Sequence, residues 1–235
     1  MGHDRQALPK IGIGRLLFFA GPLLWAILVV FHPMPEGSPY AGIKDDVDRW
    51  LFLHVGQLIL TPFLFLAVWR LLDGLSSATA LVSRAALVVW TVSFTAYDSI
   101  QGVTTGILTH HANGLAGDEQ AAFARTIEFI VEDSRLAGNV SALALVAGAS
   151  WLVVAIAAAV ALHKGGAGNA VVAAAGLSSL FAAHVAPAAI GLIALFVAGF
   201  LRERRRTKSA LGAQAVTEAA RGHRPLKGSR PLPSA

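Results

Sequence analysis

Asp98 lies inside the apolar run Ala85–Leu108 of this 235-residue chain, where an ionisable carboxyl is costly unless a partner or a watery cavity receives it. Gln101 and Thr105 follow it at i+3 and i+7, which puts all three on one helical face. A second pair, His54 and Gln57, repeats the i, i+3 spacing on another apolar segment. His32 and His184 each stand close before a proline. Neutral imidazole and carboxylate are the donor types of Zn, Fe or Cu sites, and three protein ligands with an open position is the catalytic arrangement. His32, His54 and His184 are therefore candidate metal ligands. Asp98, Gln57 and Gln101 are candidate catalytic groups, with Asp98 serving as ligand, as partner behind a ligand, or as general base. His54 and His184 on facing helices would equally suit a b-type haem. The plain alternative is a structural hydrogen bond from Asp98 to Gln57, Tyr97 or a nearby Thr, with His32 and His184 resting in the headgroup zone.

The elements that must position these groups are membrane helices. With 55% hydrophobic and 14% charged residues and a mean hydropathy of +0.61, the chain departs far from soluble composition, in which about a quarter of residues are charged. The absence of Cys excludes disulfides, thiolate-held clusters and covalent c-type haem. Alanine-rich spans with few Lys suit a high-GC bacterial genome. Spans are expected near Arg15–Phe31, Trp50–Arg70, Arg84–Leu108 and Gly138–Leu162, each close to the roughly 20 residues that cross a bilayer. Gly165–Leu201 is read as a hairpin turning near His184–Pro187. That places both termini with Arg70, Arg84 and Arg202–Arg206 on the cytoplasmic side and the acidic loops outside. The expected fold is all-α: a polytopic bundle of six spans over residues 1–201, with five as the alternative, in the cell membrane. The first span is read as a retained helix, since no small-residue cleavage site follows it.

Counting about 1.5 Å per residue from each cytoplasmic Arg places Asp98 at about 21 Å, Gln57 at about 20 Å, His54 at about 24 Å and Gln101 and His32 at about 25 Å. His184 falls at about 27 Å on the same ruler. The polar residues thus share the outer third of the membrane. Antiparallel packing would set Gln57 beside Asp98 and His54 beside Gln101. Glu128, Glu132, Arg135 and Asn139 form one helical stripe above them, read as the wet wall of a vestibule. Trp50 and Trp69 fit the aromatic belts.

Residues 202–235 read as a basic disordered tail. Its nine Lys and Arg against Glu203 and Glu218 exceed the whole chain's net charge of +5. Such a tail can dock on anionic lipid headgroups or only fix topology. Nucleic-acid binding is not expected, because no folded module accompanies the basic run. Walker, dinucleotide, H-E-x-x-H and G-x-S-x-G signatures are missing. Three classes remain. They are a metal- or haem-assisted enzyme acting on a lipid-soluble molecule, a small proton-linked transporter, and an accessory or scaffold partner of other membrane subunits whose polar cluster only holds helices together.

Overall fold

The computed structural model describes residues 13–33, 37–132, 134–162 and 185–222, and among these it is helical without strands. The helices are α1 (Ile13–Val30), the short α2 (Pro39–Ile43), α3 (Val47–Leu71), α4 (Ala78–Asp98), α5 (Thr105–Asn113), α6 (Gly117–Glu132), α7 (Ser134–Ala161) and α8 (Val185–Gly222). A six-residue π-helical segment, Ser99–Thr104, joins α4 to α5 without a turn. Three continuous helical stretches are long and apolar enough to cross a membrane, Pro39–Leu71, Ala78–Asn113 and Ala142–Ala161, and Ala20–Val30 adds a shorter apolar helix.

The bundle is assembled by close approach and by aromatic packing. α1 lies between α3 and α8, while α4 runs along α7. At Gly21 a Cβ would stand 2.7 Å from Phe63 Cβ, and at Gly56 it would stand 2.9 Å from Leu28 Cδ1. The α1–α3 contact therefore depends on two missing side chains, the way small residues let membrane helices meet. Trp90 sits at the centre of the core, 5.9 Å from Trp25, 4.8 Å from Trp151 and stacked on Phe94. Ser83, fully buried on α4, donates to Val154 O on α7 at 2.8 Å, which satisfies its hydroxyl across the helix contact. The outside is apolar as well: Phe52, Leu81, Val92 and Leu145 are each at least 65% exposed. An apolar shell of that extent fits a lipid environment better than water.

One expectation changes at this level. The chain does not turn irregular at Arg202; α8 continues as helix to Gly222. The run Arg202–Lys208 is anchored to the bundle by ion pairs and carbonyl contacts described below, and helix propagation from an existing helix carries no nucleation cost. Of the expected Glu128–Asn139 stripe, Glu128 lies on α6, and the side chains of Glu132, Arg135 and Asn139 lie outside the described residues. His184 and the first arm of the expected hairpin lie outside the described residues.

Candidate functional site

The site forms where the C-terminal ends of α1 and α4 converge with the N-terminal part of α3. Arg49 on α3 donates from Nε and Nη2 to Phe31 O at 2.8 and 2.5 Å, satisfying the carbonyl just past the end of α1 and pinning the residue beside His32. Asp98 closes α4 and is only 2% exposed. Its Oδ1 lies 2.6 Å from Nδ1 of His54, itself 7% exposed on α3. On the far edge of that ring, His54 Nε2 stands 3.2 Å from His32 Nε2. His32 Nδ1 in turn donates to Pro33 O at 2.7 Å. Asp98, His54, His32 and the Pro33 carbonyl thus make one unbroken chain of contacts running from the bundle interior to the half-buried end of α1.

Tautomers follow from these partners. A carbonyl only accepts, so His32 carries its proton on Nδ1 and presents a bare lone pair at Nε2. An ionised Asp98 fixes His54 in the same way, with Nδ1–H toward the carboxylate and Nε2 bare. Two lone pairs facing each other across 3.2 Å repel unless a cation or a proton joins them. The second oxygen of Asp98, Oδ2, is buried without a hydrogen-bond partner among the described residues.

Two residues not read as functional from sequence shape this arrangement. Trp50 is buried, with its ring 4.5 Å from that of His54 and 5.2 Å from that of His32, and its indole N–H donates to Gly102 O at 2.8 Å. It is therefore a wall of the site, where position in the chain suggested an interfacial belt residue. Gly102 belongs to the π-helical segment, and a Cβ there would overlap the His54 ring at Nδ1. In the wider π turn, Thr104 and Thr105 hydroxyls donate to carbonyls five residues back, at Ser99 O and Ile100 O. π-bulges of this kind concentrate at functional sites.

The expected pairing is corrected by the same segment. His54 meets Asp98, not Gln101, and the face opposite His54 is filled by Gly102. Gln57 is buried one turn inward from His54, but its side chain makes no hydrogen bond to Asp98. Its backbone carbonyl accepts from Thr61 instead. Gln101 is half-buried and bonded to neither histidine. Of the vestibule residues, Glu128 is half-buried on α6 with no contact to the array, and the side chains of Glu132 and Arg135 lie outside the described residues.

Among the described residues no cluster of three or more His, Asp or Glu side chains is disposed around a common metal position. Two histidines backed by Asp98 and by Pro33 O are what is assembled. A haem iron held between His32 and His54 would separate the Nε2 atoms by about 4 Å, twice a metal–nitrogen distance near 2.0 Å. The observed 3.2 Å leaves no room for that geometry. The chain matches no protein-family model, no curated protein and no solved structure.

Proposed function

We propose that this is a multi-pass protein of the cell membrane, with both termini cytoplasmic, in which His32 and His54 hold a transition-metal ion through Nε2 on the outer side and act on a lipid-soluble small molecule. The observation that carries the reading is the pair of Nε2 atoms 3.2 Å apart with both Nδ1 atoms already committed. Two nitrogens bound at about 2.0–2.1 Å to one tetrahedral ion are separated by about 3.3 Å. Metal-bound imidazoles almost always give their other N–H to a carboxylate or a backbone carbonyl, which orients the ring and raises its basicity. Asp98 and Pro33 O stand in those positions. Water, substrate or a further side chain such as His184 would complete the coordination, and the bound ion would supply Lewis acidity to an oxygen of the substrate.

A second reading draws on the same chain of contacts. One proton completes the array from Asp98 through His54 to His32 without any third ligand, as in a proton-linked transporter. Elemental analysis of tag-free, detergent-purified protein after exposure to Zn, Cu or Fe separates the two. Close to one ion per chain is expected, absent in correctly helical His32→Ala and His54→Ala, and bound about 10- to 100-fold more weakly by Asp98→Asn. Failure of wild-type protein to retain any of the three ions would sink the metal reading. Proton uptake by proteoliposomes that Asp98→Asn abolishes would then establish the transporter, and a fully tolerated Asp98→Asn would leave a scaffold.

A further inference from the structure

The inner end of the α3–α4 hairpin carries four arginines around one turn. Arg70 donates to Asp73 Oδ2 at 2.7 Å, and Arg84 donates to Leu72 O and Leu75 O at 2.8 and 3.1 Å while its guanidinium lies over the Trp69 ring. From α8, Arg202 and Arg206 both donate to the same acceptor, Asp73 O, the first at 3.0 Å. Glu203, buried between them, pairs with Arg70 and Arg206 at 3.8 Å. Arg205 and Lys208 stand exposed on the adjoining surface of α8.

Charge and donor capacity do not balance here. Four guanidinium groups meet two carboxylates, those of Asp73 and Glu203, and a neutral carbonyl receives two cations that carry five N–H donors each. Arg202 Nε is buried with no hydrogen-bond partner among the described residues. Burial first and then the adjacent Arg206 hold the Arg202 pKa below the ordinary guanidinium range, the direction expected of a cation crowded by a like charge. An oxyanion with several acceptor oxygens answers all of these features, since paired guanidiniums match phosphate geometry. The placement at the end of apolar helices favours a phosphate presented by the bilayer itself, because basic pockets between helix ends on the cytoplasmic side bind lipid head groups.

We infer that Arg202 and Arg206, together with the α3–α4 turn at Asp73, form a binding site for the phosphate of an anionic phospholipid, with Arg205 and Lys208 adding only diffuse attraction. This site is independent of the histidine array and of any ion held there.

The test uses full-length protein in nanodiscs of phosphatidylcholine alone or with phosphatidylglycerol, read by thermal unfolding. Phosphatidylglycerol is expected to raise Tm by about 5 °C in wild type. The gain should be lost in Arg202→Gln/Arg206→Gln and kept in Arg205→Gln/Lys208→Gln. If the first double variant does not fold, Arg202→Lys/Arg206→Lys keeps the charge without the planar fork and should lose at least half of the gain. An equal gain from inorganic phosphate in phosphatidylcholine discs would make free phosphate the ligand and overturn the lipid assignment. No difference between the two lipids in wild type, or a difference unaffected by the Arg202/Arg206 changes, would overturn the site.

Discussion

The two ends of the α3–α4 hairpin solve the same problem, keeping polar groups in an apolar bundle, in opposite ways. At the end that the proposed topology places outside, two imidazoles and one carboxyl group are lined up atom to atom, sealed under Trp50 and pressed against a glycine. At the opposite end, inner by the same proposed topology, full charges are gathered in excess around one turn, with pair distances from 2.7 to 3.8 Å and partners that share acceptors. The outer array draws its strength from exact contact and low dielectric, so it tolerates almost no change of shape. The inner cluster draws on net charge, so it tolerates change of shape and is expected to respond to salt and to anions. The proposed proton or metal binding calls for the first kind of site, and the proposed lipid contact calls for the second.

The sharpest way to break this contrast is to add one carbon at each kind of glycine. Gly102→Ala forces a Cβ into the His54 ring and is expected to cost about 1–3 kcal/mol, seen as a lower Tm in detergent together with loss of the bound ion. Gly148→Ala, which meets nothing within 4 Å on α7, should leave stability unchanged or raise it by up to about 1 kcal/mol. Equal effects at the two positions would refute the tight-contact account of the outer site. Next in size is Trp50→Phe, which keeps the ring but leaves Gly102 O without its indole donor. A loss of about 1–2 kcal/mol and weaker ion retention are expected from unfolding curves and metal titration. The smallest effect belongs to Asp73→Asn at the inner end, where the ion pair to Arg70 is about one-third exposed on both sides. Its cost should stay below about 1 kcal/mol in low salt and vanish in 0.5 M NaCl, whereas the Gly102→Ala cost should not change with salt.

Much of the outer site could be read from the chain before its fold was known. A carboxylate in an apolar run and two histidines at matched depth pointed to one another, because depth along a helix depends only on residue count. The facing pairs could not be obtained this way. Depth counting assumes a regular 1.5 Å rise, and the π turn at Ser99–Thr104 breaks that regularity at the point where α4 passes α3. Gln101 was set against His54 for that reason, and Gly102 took its place. Trp50 reads as a belt residue because a tryptophan near a helix end has an ordinary interfacial explanation, and only its bond to Gly102 O separates the two roles. At the inner end, counting charges exposed the basic run but not its order, since the contacts holding α8 helical past Leu201 come from Asp73 and Arg70, more than 120 residues away in sequence.

The π segment also sets the angular phase of everything that follows it. Each residue of an α-helix advances the chain by about 100°, so the one extra residue accommodated in Ser99–Thr104 turns the whole of α5 by about that amount relative to an uninterrupted α4. In the phase that results, Gly106 faces Leu51 and Trp50, and Thr109 and Ala112 are fully buried on the same side. Removing a single residue from the segment would restore a regular helix and swing this entire face away from α3. The spacing of five residues between carbonyl and hydroxyl at Ser99 and Thr104 thus fixes the rotational setting of an outer half-helix, in the way a keyed joint fixes the orientation of the shaft beyond it.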